Sequence, residues 1–251
     1  MRNVVMQAIS APELLNYWER NMNHTMIQRA VDLLRYASPE MDIEDVARLS
    51  IGERDSRLLL MREYLFGSRL NNIADCPACS ERVEWENDVQ DIRLQWPKPD
   101  TLPGEYFLEE GGYKILFRLP NSSDLNDVMP IGEDSPLSEK LLSKLIISCQ
   151  HEGNPADVND LPEKILESID HQIEFENPQA EILMSISCVH CGHIWDIRFD
   201  IISYLWSEIN SWARGILQDI GTLAQAYGWS EQEILDMSPV RRQIYLNMVY
   251  L

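Results

Sequence analysis

A chain of 251 residues, 45% hydrophobic and 25% charged, is long enough to bury a substantial core, in one body or in a body that carries an insertion. Its 41 acidic and 21 basic side chains leave a net charge of −20, which repels nucleic-acid phosphate and anionic lipid and suits solubility or docking on a basic protein. No stretch approaches the ~20 apolar residues that cross a bilayer, and the N-terminal MRNVVMQAISAPELLNYWER lacks an apolar run of signal-peptide length, so a cytoplasmic chain with reduced thiols is expected.

Ser10-Ala-Pro-Glu13 reads as a capping box, its hydroxyl and carboxylate satisfying free amides at a helix start. One helix is expected behind it, carrying Leu14, Leu15, Trp18, Met22, Met26, Ala30, Leu33 and Leu34 and ended by Pro39. A second follows from about Gly52 to Phe66, with Gly67 as its C-cap. The Pro-punctuated stretch Trp96 to Pro103 can neither continue a helix nor pair in a sheet centre, and reads as the linker into an inserted subdomain. There Tyr106 and Leu108 alternate on one arm of a hairpin, and Tyr113, Ile115, Phe117 and Leu119 on the other. Gly111-Gly112 supplies the turn. Ser138 to Ile147 and Leu161 to Ile173 read as helices, and Ile182, Met184 and Ile186 as a strand.

The longest predicted helix runs from Ile201 to Tyr227. Leu205, Ile209, Trp212, Ile216, Ile220, Leu223 and Tyr227 recur at steps of three and four, one continuous apolar stripe. Gly228 stops it. Ser230-Glu-Gln-Glu233 opens a short helix, and Ser238-Pro239 opens the last one, which carries Arg241, Arg242, Tyr245, Leu246 and Val249.

Five cysteines in a reducing compartment argue for metal rather than disulfides. Four of them form two Cys-x-x-Cys pairs, Cys76-Pro-Ala-Cys79 and Cys188-Val-His-Cys191. Two thiolates three apart in a tight turn present both sulfurs to one ion, and zinc takes four soft ligands in a closed tetrahedron. A shift of 112 residues carries one pair onto the other, and with it Ser80 onto Gly192, Val83 onto Trp195, Trp85 onto Ile197 and Val89 onto Ile201. This is the two-fold layout of a zinc ribbon with a subdomain inserted between its halves, an insertion made tolerable because closure entropy grows only with the logarithm of loop length.

Two other chemistries compete. A redox dithiol is disfavoured because neither pair sits at a helix start after a parallel strand. A catalytic zinc keeps an open position, which four sulfurs close. His190 and His193 stand beside the second pair and could replace one sulfur; shielding or hydrogen-bonding the sulfurs fits them better. Cys149, in the apolar run from Leu145, reads as a buried thiol.

The sequence carries no Gly-x-Gly-x-x-Gly, phosphate loop, Gly-x-Ser-x-Gly or His-Glu-x-x-His. With 41 acidic residues, clusters such as Asp157 to Glu163 arise by chance, and no catalytic constellation stands out. Trp18, Trp206, Trp212 and Trp229 sit where core packing explains them. The expected fold is therefore α+β, a mostly helical body built on a split zinc ribbon. Residues 1–91 hold the N-terminal helices and the first half of the ribbon. Residues 92–180 form the inserted hairpin and helical subdomain, and 181–251 complete the ribbon and add the C-terminal helices.

Ile51 to Gly67, Asp75 to Cys79, Cys188 to Trp206 and the tail Ala226 to Leu246 together resemble a family encoded with phage-tail-like contractile injection systems, related to baseplate hub and baseplate-assembly proteins of contractile-tailed phages. The Trp229-Ser-Glu-x-Glu-Ile-Leu and Ser238-Pro-x-Arg-Arg242 elements of the tail are the more specific part. The resemblance implies a non-enzymatic baseplate or assembly protein whose partners are hub, spike, tube or other baseplate proteins, with neither nucleic-acid binding nor direct membrane insertion. The C-terminal helices and the inserted hairpin are the expected contact surfaces, with Arg241 and Arg242 either meeting a partner's carboxylates or pairing locally. The competing reading is a zinc-ribbon adaptor in transcription or RNA handling, which would need a basic groove.

Overall fold

Two capping boxes, not one, start the chain. The computed structural model describes residues 6–94, 104–128 and 137–249, and the expected linker, 96–103, lies outside the described residues. Helix α1 (Ala11–Asn21) begins behind Ser10, whose amide and hydroxyl donate to Glu13 Oε2 at 2.8 and 2.6 Å. The single long helix expected here then breaks. Thr25 restarts the chain as α2 (Met26–Ala37): its Oγ1 accepts from the Gln28 N–H at 3.3 Å, and the Thr25 N–H donates to Gln28 Oε1 at 2.9 Å. A cap of this kind satisfies amides that an unbroken helix would have bonded internally, so the break costs little.

Helix α3 (Ile43–Ala47) starts at Asp42, and α4 (Ile51–Phe66) starts at Ser50 and closes at Gly67. Strands β1 (Arg69–Asp75) and β2 (Arg82–Asp88) form an antiparallel hairpin, followed by one turn of helix, α5 (Val89–Ile92). Next come β3 (Tyr106–Glu110) and β4 (Tyr113–Phe117), joined by the expected turn, where Gly111 and Gly112 hold φ of 59° and 82°. Helices α6 (Ser122–Val128) and α7 (Leu137–Leu145) lead into β5 (Ile146–His151) and the short β6 (Asn154–Pro155). Ile146 and Ile147, expected at the end of a helix, belong to β5, which pairs with β4 and sets Cys149 opposite Ile115. Their β-branched side chains favour the strand as soon as a neighbour accepts its ladder.

Helix α8 (Glu163–Glu176), hairpin β7 (Ile182–Ser187) and β8 (Ile194–Phe199), and helices α9 (Ile201–Tyr227), α10 (Glu231–Leu235) and α11 (Pro239–Val249) complete the chain. The fold is mixed helix and sheet. Its sheets are small: the β1–β2 hairpin, a four-stranded sheet in the order β3-β4-β5-β6, and the β7–β8 hairpin.

Three apolar clusters hold these pieces. The largest gathers α1, α2, α4, α10 and α11 around α9, a helix about 40 Å long, with Leu34, Leu59, Met61, Ile209, Ala213 and Leu223 at or below 1% exposure. The second, under the four-stranded sheet, joins Ile115, Phe117 and Cys149 to Leu142, Leu161, Ile165 and Ile169. The third lies between the two hairpins and contains Cys76 and Cys188. Of the C-terminal helices, α9 is the centre of the main core, and Ile234, Leu235 and Leu246 of α10 and α11 are buried against it. Arg242 is buried, its guanidinium donating to the Ile234 carbonyl at 3.5 Å, and only Arg241 of the basic couple is exposed. Trp229 stacks on Tyr227 with centroids 4.5 Å apart, and Trp206 lies under the Arg29 guanidinium at 3.9 Å.

The stretch Ile51 to Ser56 fastens the segment 104–180 to the helical body. The Ile51 N–H donates to the Pro120 carbonyl and the Gly52 N–H to Asn177 Oδ1, both at 3.0 Å. The buried Arg54 reaches Ser122 Oγ at 3.2 Å, and Gln179 bridges the Leu94 N–H and the Ile92 carbonyl. Nearer the C-terminal end of α4, Arg62 forks onto Glu208 of α9 at 2.9 and 2.7 Å.

Candidate metal centre

Each cysteine pair sits in a turn that its hairpin makes unavoidable. In the first, the Cys76 N–H donates to the Glu81 carbonyl at 2.8 Å and the Ser80 N–H returns to the Cys76 carbonyl at 2.8 Å. In the second, the Cys188 N–H donates to the His193 carbonyl at 2.8 Å and the Gly192 N–H to the Cys188 carbonyl at 2.9 Å. Ser80 and Gly192 close the turns in the left-handed region, at φ 58° and 73°. Glycine takes that conformation freely and serine only under constraint from its surroundings.

The 112-residue shift extends well past the turns. Ala74 faces Val83 and Asn72 faces Trp85, as Ile186 faces Trp195 and Met184 faces Ile197. Asp88 caps α5 through the Gln90 N–H, and Asp200 caps α9 through the Ile202 N–H. One supersecondary unit is thus built twice. The strand β1, which leads into the first pair, is not conspicuous in the sequence because only Leu70 along it is fully buried.

The two turns meet. Cys76 Sγ lies 3.7 Å from Cys191 Sγ, Cys79 Sγ lies 3.7 Å from Cys188 Sγ, and all four sulfurs fall within 4.8 Å of one another. A disulfide would bring two of them to about 2.05 Å. A tetrahedron of sulfurs 2.3 Å from a central zinc has edges of about 3.8 Å, and the closest approaches match that spacing. The four cysteines could therefore hold a metal ion. Burial alternates symmetrically, with Cys76 and Cys188 enclosed and Cys79 and Cys191 facing solvent.

Crowding splits the thiols. Cys188 is drawn down to about 7, foremost by the Cys191 N–H aimed at its sulfur, with burial opposing and the His190 N–H assisting. Cys79 is pushed up to about 12: the Glu81 N–H pulls its value down, but burial and hydrogen bonds shared with the Cys191, Cys76 and Cys188 sulfurs outweigh it. Four sulfurs this close share protons when no cation is present, and a bound metal removes that conflict by holding them all as thiolates. The His193 ring stacks on Trp195, centroids 5.9 Å apart, while its backbone carbonyl takes the Cys188 amide. Cys149 lies apart, buried in the second cluster, which pushes its thiol up.

The model of the family described as "T4 bacteriophage base plate protein" matches residues 14–204. No curated protein and no solved structure matches the chain. The match takes in both cysteine pairs, α4 and the first turn of α9. The tail from Ala226 to Leu246 lies beyond it.

Proposed function

Because the chain belongs to the T4 bacteriophage base plate protein family, we propose that it is a non-enzymatic structural or assembly component of the baseplate of a contractile phage tail or contractile injection system, close to the hub, with one structural zinc. The observation that carries this reading is the family match across 14–204, which spans most of the chain before α9 and both halves of the sulfur cluster. Cys76, Cys79, Cys188 and Cys191 are the proposed ligands and complete a split zinc ribbon. Zinc there would act as a clamp: four thiolates leave no position for substrate, so the ion fixes two chain segments instead of activating water. No helix among the described residues is long and apolar enough to cross a membrane, and the proposed location is the cytoplasm, in or on the tail particle.

The surface fits a part that binds proteins. At a net charge of −20 it repels polyanions and steers basic partners towards itself. Deleting the gene, then purifying particles and identifying their proteins by mass spectrometry, tests the assignment. Tails that fail to assemble, or that lack a neighbouring baseplate protein, are the expected result. Complete, firing-competent particles would overturn it.

A further inference from the structure

Between the two hairpins and the start of α9 lies a groove of about 470 Å³, walled on one side by Asn71, Asn72 and Ile73 of β1 and on the other by Ile197, Arg198 and Phe199 of β8. Each wall is the outer strand of a two-stranded sheet. The direction in which the β1 backbone points is fixed by one side chain. Tyr204 Oη accepts from the Asn71 N–H at 2.9 Å and donates to the Asn71 carbonyl at 3.0 Å, taking both main-chain groups as a neighbouring strand would. Asn71 therefore turns its backbone away from β2. Because hydrogen-bonding direction alternates along an antiparallel strand, Ile73 does the same. Ile73 is 48% exposed, and no phenol covers it. Its edge faces the groove.

Trp85 lines the groove with part of its ring, while its indole N–H is buried away from it without a hydrogen-bond partner among the described residues. The charge of the whole chain gives the sign of the visitor. Arg198 is paired with Glu181 at 2.5 Å, Glu208 with Arg62, and Asp200 with the Ile202 and Ser203 amides that it caps, so the excess is that of a chain of net −20.

We propose that this groove docks an extended, basic segment of a partner protein, which adds as a strand to the open edge of β1 at Ile73. Strand addition draws its affinity from main-chain bonds and its selectivity from side chains at alternate positions. Tyr204 marks where the added strand must end. The inference uses only the groove and the charge of the chain, and stands whether or not the chain is a baseplate part.

The test is fluorescence anisotropy on the full chain at about 150 mM salt, with a labelled, end-blocked decapeptide of alternating lysine and valine. Two further peptides carry N-methyl groups on every second amide, one in each phase, and a fourth replaces lysine with glutamate. The parent peptide should bind, one methylated phase should lose about tenfold or more in affinity, and the glutamate peptide should not bind. Ile73→Pro should weaken the parent peptide to a similar degree, because proline there removes an outward N–H and spares the β1–β2 ladder. Failure of the parent peptide to bind would overturn the proposal. Equal binding of the parent and both methylated phases would also overturn it, since that is a polycation settling on an acidic surface.

Discussion

Gly52→Ala should destabilise the protein, against the usual sign of that substitution in a helix. An exposed helical glycine replaced by alanine gains up to about 1 kcal/mol, from propensity and a less free unfolded chain. At position 52 the added Cβ would stand 2.3 Å from Asn177 Oδ1 and 3.2 Å from the Ala180 nitrogen. Asn177 is only 3% exposed, its Oδ1 holds the Gly52 N–H at 3.0 Å, and its Nδ2 is already buried without a hydrogen-bond partner among the described residues. Expelling it breaks the one bond and leaves a buried amide unpaired, about 1–3 kcal/mol. The overpacking adds about 1–3 kcal/mol. After a propensity gain of about 1 kcal/mol is subtracted, a net loss of about 1–5 kcal/mol remains. For a chain of this size that lowers the melting temperature by about 2–20 °C. Thermal unfolding followed by circular dichroism measures it. Introducing Gly52→Ala into an Asn177→Ala background should reduce the penalty to within about 1 kcal/mol, because the clashing oxygen is gone. A Gly52→Ala protein that melts at or above the parent temperature would show that Asn177 does not sit against α4, and the seam described above would be wrong.

Cys76→Ser should release the metal, read as zinc per chain by mass spectrometry, and unfold the hairpins, since site formation and folding are linked; unchanged zinc content and melting temperature would contradict the ligand assignment. Glu208→Ala leaves the buried Arg62 without its anion and should cost about 1–3 kcal/mol, a figure reduced for the partial exposure of Glu208. Glu208→Gln should cost less, as measured in urea. Glu13 and Glu233 are held below the usual carboxylate range, Glu13 foremost by the Ser10 hydroxyl and Glu233 by the Ser230 N–H. A depressed folded value means stability that is present above the unfolded value, about 4.3, and lost as pH falls through the folded one. The stability difference between parent and Glu233→Gln should therefore shrink as the solution is acidified below about pH 4, and a constant difference would refute the assignment.

What was legible in the sequence depended on whether a pattern needed a partner to be seen. The Ile201–Tyr227 helix forms as the stripe predicts, because a steady step of three and four from Leu205 to Tyr227 has no other solution. The cysteine pairs were equally plain, since spacing alone says that two sulfurs can share an ion. The break at Thr25 was hidden because α1 and α2 pack on the same core, so the apolar phase runs across the break. The signal was present in Thr25 and Gln28, a second capping box. Ile146 and Ile147 were ambiguous for the opposite reason. A short apolar run continues a helix or starts a strand equally well, and the presence of β4 decides it. The pairs Gly52–Asn177, Arg62–Glu208 and Asn71–Tyr204 join residues more than 100 apart in sequence, and one sequence holds no trace of them.

The placement of these fastenings bears on what the sulfur cluster does. The helical core closes without it: α4 is tied to α9 by Arg62 and Glu208, and to the segment 104–180 through Gly52, Arg54 and the neighbouring Ile51. The cluster lies at the other end of the hairpins, where few buried side chains are available and Val189 and Ile194 are 92% and 67% exposed. A pair of two-stranded hairpins is marginal in water on its own. A cation held by the four sulfurs would supply locally what that small core cannot, by joining the two copies of a repeated unit instead of bracing the whole molecule. Such a metal would serve the presentation of the hairpins and the groove between them, while the fold of the body rests on α9.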